Sequence, residues 1–134
     1  MNQEIKERWA AALESGEYQQ GRGALVRKSA TGNLSYCCLG VLCELAVADG
    51  VIEPAVFFSD REEFGGAVPG EYAGSQGLPP RVVMEWAGAS ANEVNWSDFG
   101  VAVPGTTYQK DYLATLNDTG HPFTVIAQAI REHL

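Results

Sequence analysis

Between Cys38 and Ala48 the chain offers water a single charged side chain, Glu44; every other position is Cys, Leu, Gly, Val or Ala. A helix that is apolar on nearly every face has no solvent side, so the rest of the chain must wrap it as a central buried element, which Gly50 then ends. The residues before it alternate towards strand. Ala24–Arg27 and Leu34–Cys37 flank Ala30-Thr31-Gly32-Asn33, the arrangement of two short strands around a glycine-containing turn, and they predict a β-hairpin leading into the buried helix.

Both ends of the chain read as helices. Asn2 precedes a segment in which Ile5, Trp9, Ala12 and Leu13 share one helical face, and Ser15-Gly16 closes it. Residues 51–78 combine glycine and proline with aromatic pairs such as Phe57-Phe58, which fits short strands or an ordered loop better than a linker. Leu78-Pro79-Pro80 predicts a short helix through Val83 and a core Trp86, with Pro at its first position and Gly88 at its end. Phe99–Val103 predicts one more strand. Thr106 with Gln109 forms a capping-box pattern that predicts a helix to Asn117, and after the turn Asp118–His121 a last helix carries Phe123, Ile126, Ala127 and Ile130 on one face. The expectation is a single compact α+β domain spanning residues 1–134: N-terminal helix, β-hairpin, buried central helix, short strands and two C-terminal helices.

The three cysteines all fall within residues 37–43. Cys37 and Cys38 are neighbours and cannot reach disulfide geometry on a regular backbone, while Cys38 and Cys43 lie on different faces of a helix. An odd count without a workable local pair predicts free thiols in a reducing compartment. Met1–Arg8 contains neither an apolar signal segment nor a cleavage site, and no stretch reaches the ~18 apolar residues of a membrane span, so a cytoplasmic protein is expected. At 134 residues and 46% hydrophobic content the chain supports a core without metal or disulfide staples. A formal net charge of -8 opposes nucleic acid, whose binding rests on several cationic contacts to phosphate. No cofactor motif is present.

Four separated segments carry a resemblance. Ser15–Gly21, Tyr36–Ala46, Leu78-Pro79 with Trp86-Ala87-Gly88, and Leu116–Gly120 followed by Phe123 and Ile126-Ala127 together resemble small bacteriophage and prophage proteins of unassigned function. The resemblance implies an accessory protein in the cytoplasm of a bacterial host, acting by binding a host factor, a defence (counter-defence) target or a small signal. It brings no activity with it.

The chemistry in the residues is sparse. Cys38 stands where a strand meets a helix, a position that favours the thiolate and resembles the strand-to-helix entry of cell-wall cysteine peptidases; His121 with Asp118 would supply base and orienter for a cysteine-dependent hydrolase. Wholly apolar flanks favour core packing for all three thiols instead. Metal is not expected, because adjacent cysteines lack the spacer of a zinc knuckle and there is no second pair. Gly21-Arg22-Gly23 lacks the lysine and following helix of a phosphate loop and reads as a turn. Leu116–Gly120 fails as helix-turn-helix because the last helix is poor in basic residues, and Asn117 and Asp118 read as helix-terminating residues bonded to local backbone. The residues best equipped for recognition are Tyr18, Gln19, Gln20 and Arg22 in one loop and Asn95 and Trp96 in another. Together they predict a non-enzymatic binding protein for a host or defence protein or a small anionic, nucleotide-like ligand. A virion structural component is the remaining alternative.

Overall fold

Asn2 holds an extended backbone and its Oδ1 accepts the Ile5 N–H at 3.1 Å, which starts helix α1, Gln3–Glu14; Gly16, at a positive φ, follows its end. The computed structural model of the protein describes residues 1–58, 66–88, 100–101 and 111–134. The hairpin forms as expected from β1, Val26–Lys28, and β2, Leu34–Tyr36, with Val26 opposite Tyr36 and a turn closed by the Ser29 N–H on the Asn33 carbonyl at 2.8 Å. Helix α2, Cys38–Ala48, has the limits its apolar run predicts.

The stretch after α2 contributes strands β3, Val56–Phe57, and β4, Val68–Glu71, which complete an antiparallel sheet of order β2-β1-β4-β3. Arg27 lies opposite Pro69, and Val56 opposite Glu71. Helix α3, Arg81–Trp86, begins after Pro80, so this proline is the residue before the helix and not its first member. Trp86 is half-buried beside Asp49, not part of the core, because Val83 and Ala87 occupy the inward face of this short helix. A small two-stranded sheet pairs β5, Gly100–Val101, with β6, Asp111–Tyr112. The predicted helix from Thr106 is corrected here: its capping pair lies outside the described residues, residues 111–112 are extended, and the helix α4 covers only Leu113–Asp118. Helix α5, Phe123–His133, follows the turn and buries Phe123, Ile126, Ala127 and Ile130.

The fold is therefore α+β, with α2 at its centre. Helices α1, α3 and α4 and strand β2 all pack on α2, and α1 lies along α5. Trp9, the largest fully buried side chain, satisfies its indole N–H on the Cys38 carbonyl at 2.9 Å. Ala10, not Ala12, completes the buried face of α1. Among the described residues, no helix is long and apolar enough to cross a membrane.

One glycine decides how close α2 can come to the sheet. A Cβ on Gly40 would lie 1.8 Å from the Leu25 carbonyl oxygen, and that carbonyl accepts the Cys37 N–H at 3.2 Å, so the backbones of helix and hairpin are in direct contact. The Gly40→Ala variant is expected to lose at least about 3 kcal/mol, the upper end of ordinary overpacking, because backbone and not a flexible side chain must yield. Urea unfolding checks this; a loss below about 1 kcal/mol would show that the contact can relax.

Candidate functional site

The loop Glu17–Gly23 joins α1 to the hairpin, and its Gly21-Arg22-Gly23 segment predicts a flexible turn. Hydrogen bonds fasten it instead. Gln19 and Gly21 bracket Tyr36 as an added parallel rung of the sheet: the Tyr36 N–H donates to the Gln19 carbonyl at 2.8 Å and the Gly21 N–H donates to the Tyr36 carbonyl at 2.7 Å. From the other side comes Asn117, which is fully buried at the end of α4. Its Nδ2 donates to the Gly21 carbonyl at 2.8 Å and to Asp118 Oδ1 at 3.3 Å, while its Oδ1 accepts from Gln20 Nε2 at 3.0 Å and from the Cys38 N–H at 3.2 Å.

That last bond gives the first N–H of α2 an acceptor from a residue 79 positions away. The Asn117 amide thus uses both donors and both acceptor sites, the condition for burying such a group without penalty. Reading Asn117 as a local helix terminator is therefore corrected: its side chain bonds distant backbone. Gln20 Nε2 also reaches the His121 carbonyl at 2.8 Å, and the Gly23 N–H donates to Asp118 Oδ1 at 3.1 Å.

The predicted recognition residues part company here. Gln20 is consumed in anchoring the loop. Gln19 is exposed, with its carbonyl committed to Tyr36. Tyr18 turns towards α2 and packs edge-on against Tyr36, ring centroids 5.3 Å apart at 89°. Arg22 is exposed, with its guanidinium over Gly120 and its carbonyl accepting Arg27 Nε at 2.7 Å. Among the described residues Arg22 has no ion-pair partner. Asn95 and Trp96 lie outside the described residues, so their convergence with this loop is not part of the geometry.

The thiols stand apart from the surface. Cys37, Cys38 and Cys43 are free and buried. The Cys38 thiol donates to the Leu113 carbonyl at 3.5 Å, and burial pushes its pKa well above the usual value, more than the nearby helix N-terminus lowers it. Burial likewise pushes Cys37 up to about 11 and raises Cys43. His121 Nδ1 sits 3.2 Å from the Leu116 carbonyl, so the two members of the alternative dyad each face backbone and make no hydrogen bond to one another. Asp118 is spent on Gly23 and Asn117. Among the described residues no cluster of His, Cys, Asp and Glu suits a metal ion.

A family model described as a domain of unknown function (DUF8296) matches residues 1–134, and the chain belongs to that family. No curated protein and no solved structure matches it.

Two outcomes follow from the buried polar groups. Asn117→Ala takes the Asn117 acceptor from the Cys38 N–H and its donor from the Gly21 carbonyl, leaving Gln20 only its bond to the His121 carbonyl, and should cost about 3 kcal/mol or more in chemical denaturation. Alkaline titration should also weaken the fold. Cys37 is held at about 11 against an ordinary 9.0, so its stabilisation is full below pH 9 and is lost as pH rises to about 11, a contribution of roughly 2–3 kcal/mol. Cys38 and Cys43 add to the same slope, so the Cys37→Ala variant should make that part of the stability curve shallower by one thiol's share; an unchanged slope between pH 9 and 11 would refute the assignment.

Proposed function

We propose that this member of the DUF8296 family is a non-enzymatic accessory binding protein of the phage type, working in the bacterial cytoplasm, and that it recognises an anionic group through Arg22. The observation that carries the reading is the fastening of Glu17–Gly23. A loop tied at Gln19, Gln20, Gly21 and Gly23 presents one exposed guanidinium from backbone that is already ordered, so binding need not order the loop itself, and preorganisation of this kind is what turns a surface cation into a recognition element.

The charge pattern agrees. In a chain of net charge -8, residues 18–43 contain no Asp or Glu and hold Arg22, Arg27 and Lys28, so the loop and first strand form a locally basic stretch on an acidic molecule. One or two guanidinium contacts suit a compact phosphate or carboxylate, on a nucleotide-like ligand or on a host or defence protein, and are too few for duplex nucleic acid. The burial of Cys38 and its raised pKa favour this reading over a cysteine hydrolase.

Calorimetry against nucleoside phosphates, cyclic dinucleotides and pyrophosphate at ~150 mM salt, alongside affinity capture from a bacterial lysate, tests the reading. At least one anion or one captured protein should bind the wild-type chain, and Arg22→Ala should weaken that binding at least about tenfold with the melting temperature unchanged. If a ligand or partner is found and Arg22→Ala leaves its affinity intact, the Arg22 site is wrong.

A further inference from the structure

Glu44 is the lone charge of α2 and sits half-buried among three tyrosines drawn from three parts of the chain. Tyr72, fully buried, donates its hydroxyl to Glu44 Oε1 at 2.7 Å. It is aimed there by a tight turn, in which Tyr72 and Ser75 exchange backbone hydrogen bonds at 2.9 and 2.8 Å and Ala73 takes a positive φ of 48°. Tyr36, at the end of β2, brings its hydroxyl beside the same carboxylate, and Tyr18 packs on Tyr36 with Glu17 as a second acidic neighbour. Among the described residues, no cation pairs with Glu44. Two phenol hydroxyls support this half-buried carboxylate, and with no cation from the described residues against it, it keeps acceptor capacity for a cationic donor.

We propose that the Tyr18, Tyr36, Tyr72 and Glu44 cluster binds the ammonium group of an aliphatic amine. The class follows from the groups present. Burial, and then Glu44, push the Tyr36 hydroxyl up to about 12 and raise those of Tyr72 and Tyr18, so at neutral pH the phenols are neutral: they offer π faces and dipoles, not the phenolate oxygens a metal ion would need. A guanidinium binds best through a fork that uses both carboxylate oxygens, and Tyr72 already occupies Oε1. A compact ammonium needs one oxygen and the ring faces. Partly buried Tyr18 and Glu44 form the accessible side of the cluster, and buried Tyr36 and Tyr72 its floor. The site shares Tyr18 with the loop of Arg22 but does not rest on the anion reading, since Arg22 is not among its groups.

The test uses putrescine, tetramethylammonium and Nα-acetyl-lysine methylamide as probes, with sodium chloride at matched ionic strength as the control. Backbone amide shifts in NMR report the site, and Glu53→Gln, an exposed acidic position outside the cluster, controls for net charge. Saturable shifts at Glu44 and Tyr72 are expected with at least one ammonium probe and not with sodium. Glu44→Gln should weaken that binding at least about tenfold while Glu53→Gln leaves it unchanged. Tyr18→Ala, at the accessible rim, should weaken it as well, and this variant decides the matter if Glu44→Gln does not fold. Linear, non-saturating shifts, equal affinity in Glu44→Gln and Glu53→Gln, or undiminished binding in Tyr18→Ala would overturn the assignment. Preference for the lysine derivative over putrescine would point to a side chain of a protein as the source of the amine, and the reverse to a free amine.

Discussion

Everything around the candidate surface depends on one buried amide. Asn117 bonds the first N–H of the central helix, the backbone of the loop after α1 and the side chain of Gln20, so three segments far apart in sequence meet at the two polar atoms of one amide. The contact is demanding because it is dry: a buried amide that lost one partner would pay the full desolvation of the other. That makes it directional as well as stabilising. Apolar packing alone would hold α2 in the core but would leave its rotation and the height of the loop loosely set, whereas an amide with every site occupied admits a single arrangement.

The second constraint is steric. The contact between Gly40 and the Leu25 carbonyl lets a helix with almost no polar face sink against the hairpin, and burial of its thiols is a consequence of that depth. Cysteine serves here as a small apolar residue, with Cys37 contributing its sulfur as a weak acceptor for the Gly40 N–H at 3.4 Å. The same helix then carries its one charge outward into the tyrosines, so the core element and the acidic cluster are a single piece of backbone.

What the residues disclosed divides by the range of the interaction. Helices α1, α2 and α5 and the hairpin were legible because periodicity, caps and turn glycines act over a few positions: Asn2, Gly32 and Gly50 do locally what their types imply. Trp86 departs from its expected core position because one turn of a short helix does not determine which of its faces is covered. Helix α4 starts later than the capping pattern at Thr106 and Gln109 predicts, because that pattern is independent of the pairing that holds residues 111–112 extended. The roles of Asn117, Gln20 and Tyr72 were beyond reach for a different reason. Their partners lie 79, 101 and 28 positions away, and nothing local distinguishes a side chain that bonds its own turn from one that bonds a distant backbone. A polar residue at the inward spacing of an otherwise apolar segment, Leu113, Leu116 and Asn117, was the one available signal.

The pairing of α1 with α5 has a consequence for how the molecule is made. Arg131 bridges Glu7 and Glu14 from across the helix pair, and the Glu7 partner is 124 residues earlier in the chain. Ribosomes add roughly 5–20 residues per second, so the side of α1 that packs on α5 waits on the order of ten seconds for its partner helix. Contacts of such long separation are also slow to form, because loop closure must precede the packing. During that interval the first helix is an amphipathic segment that α2 can cover on the Trp9 side while its α5 side stays open to water.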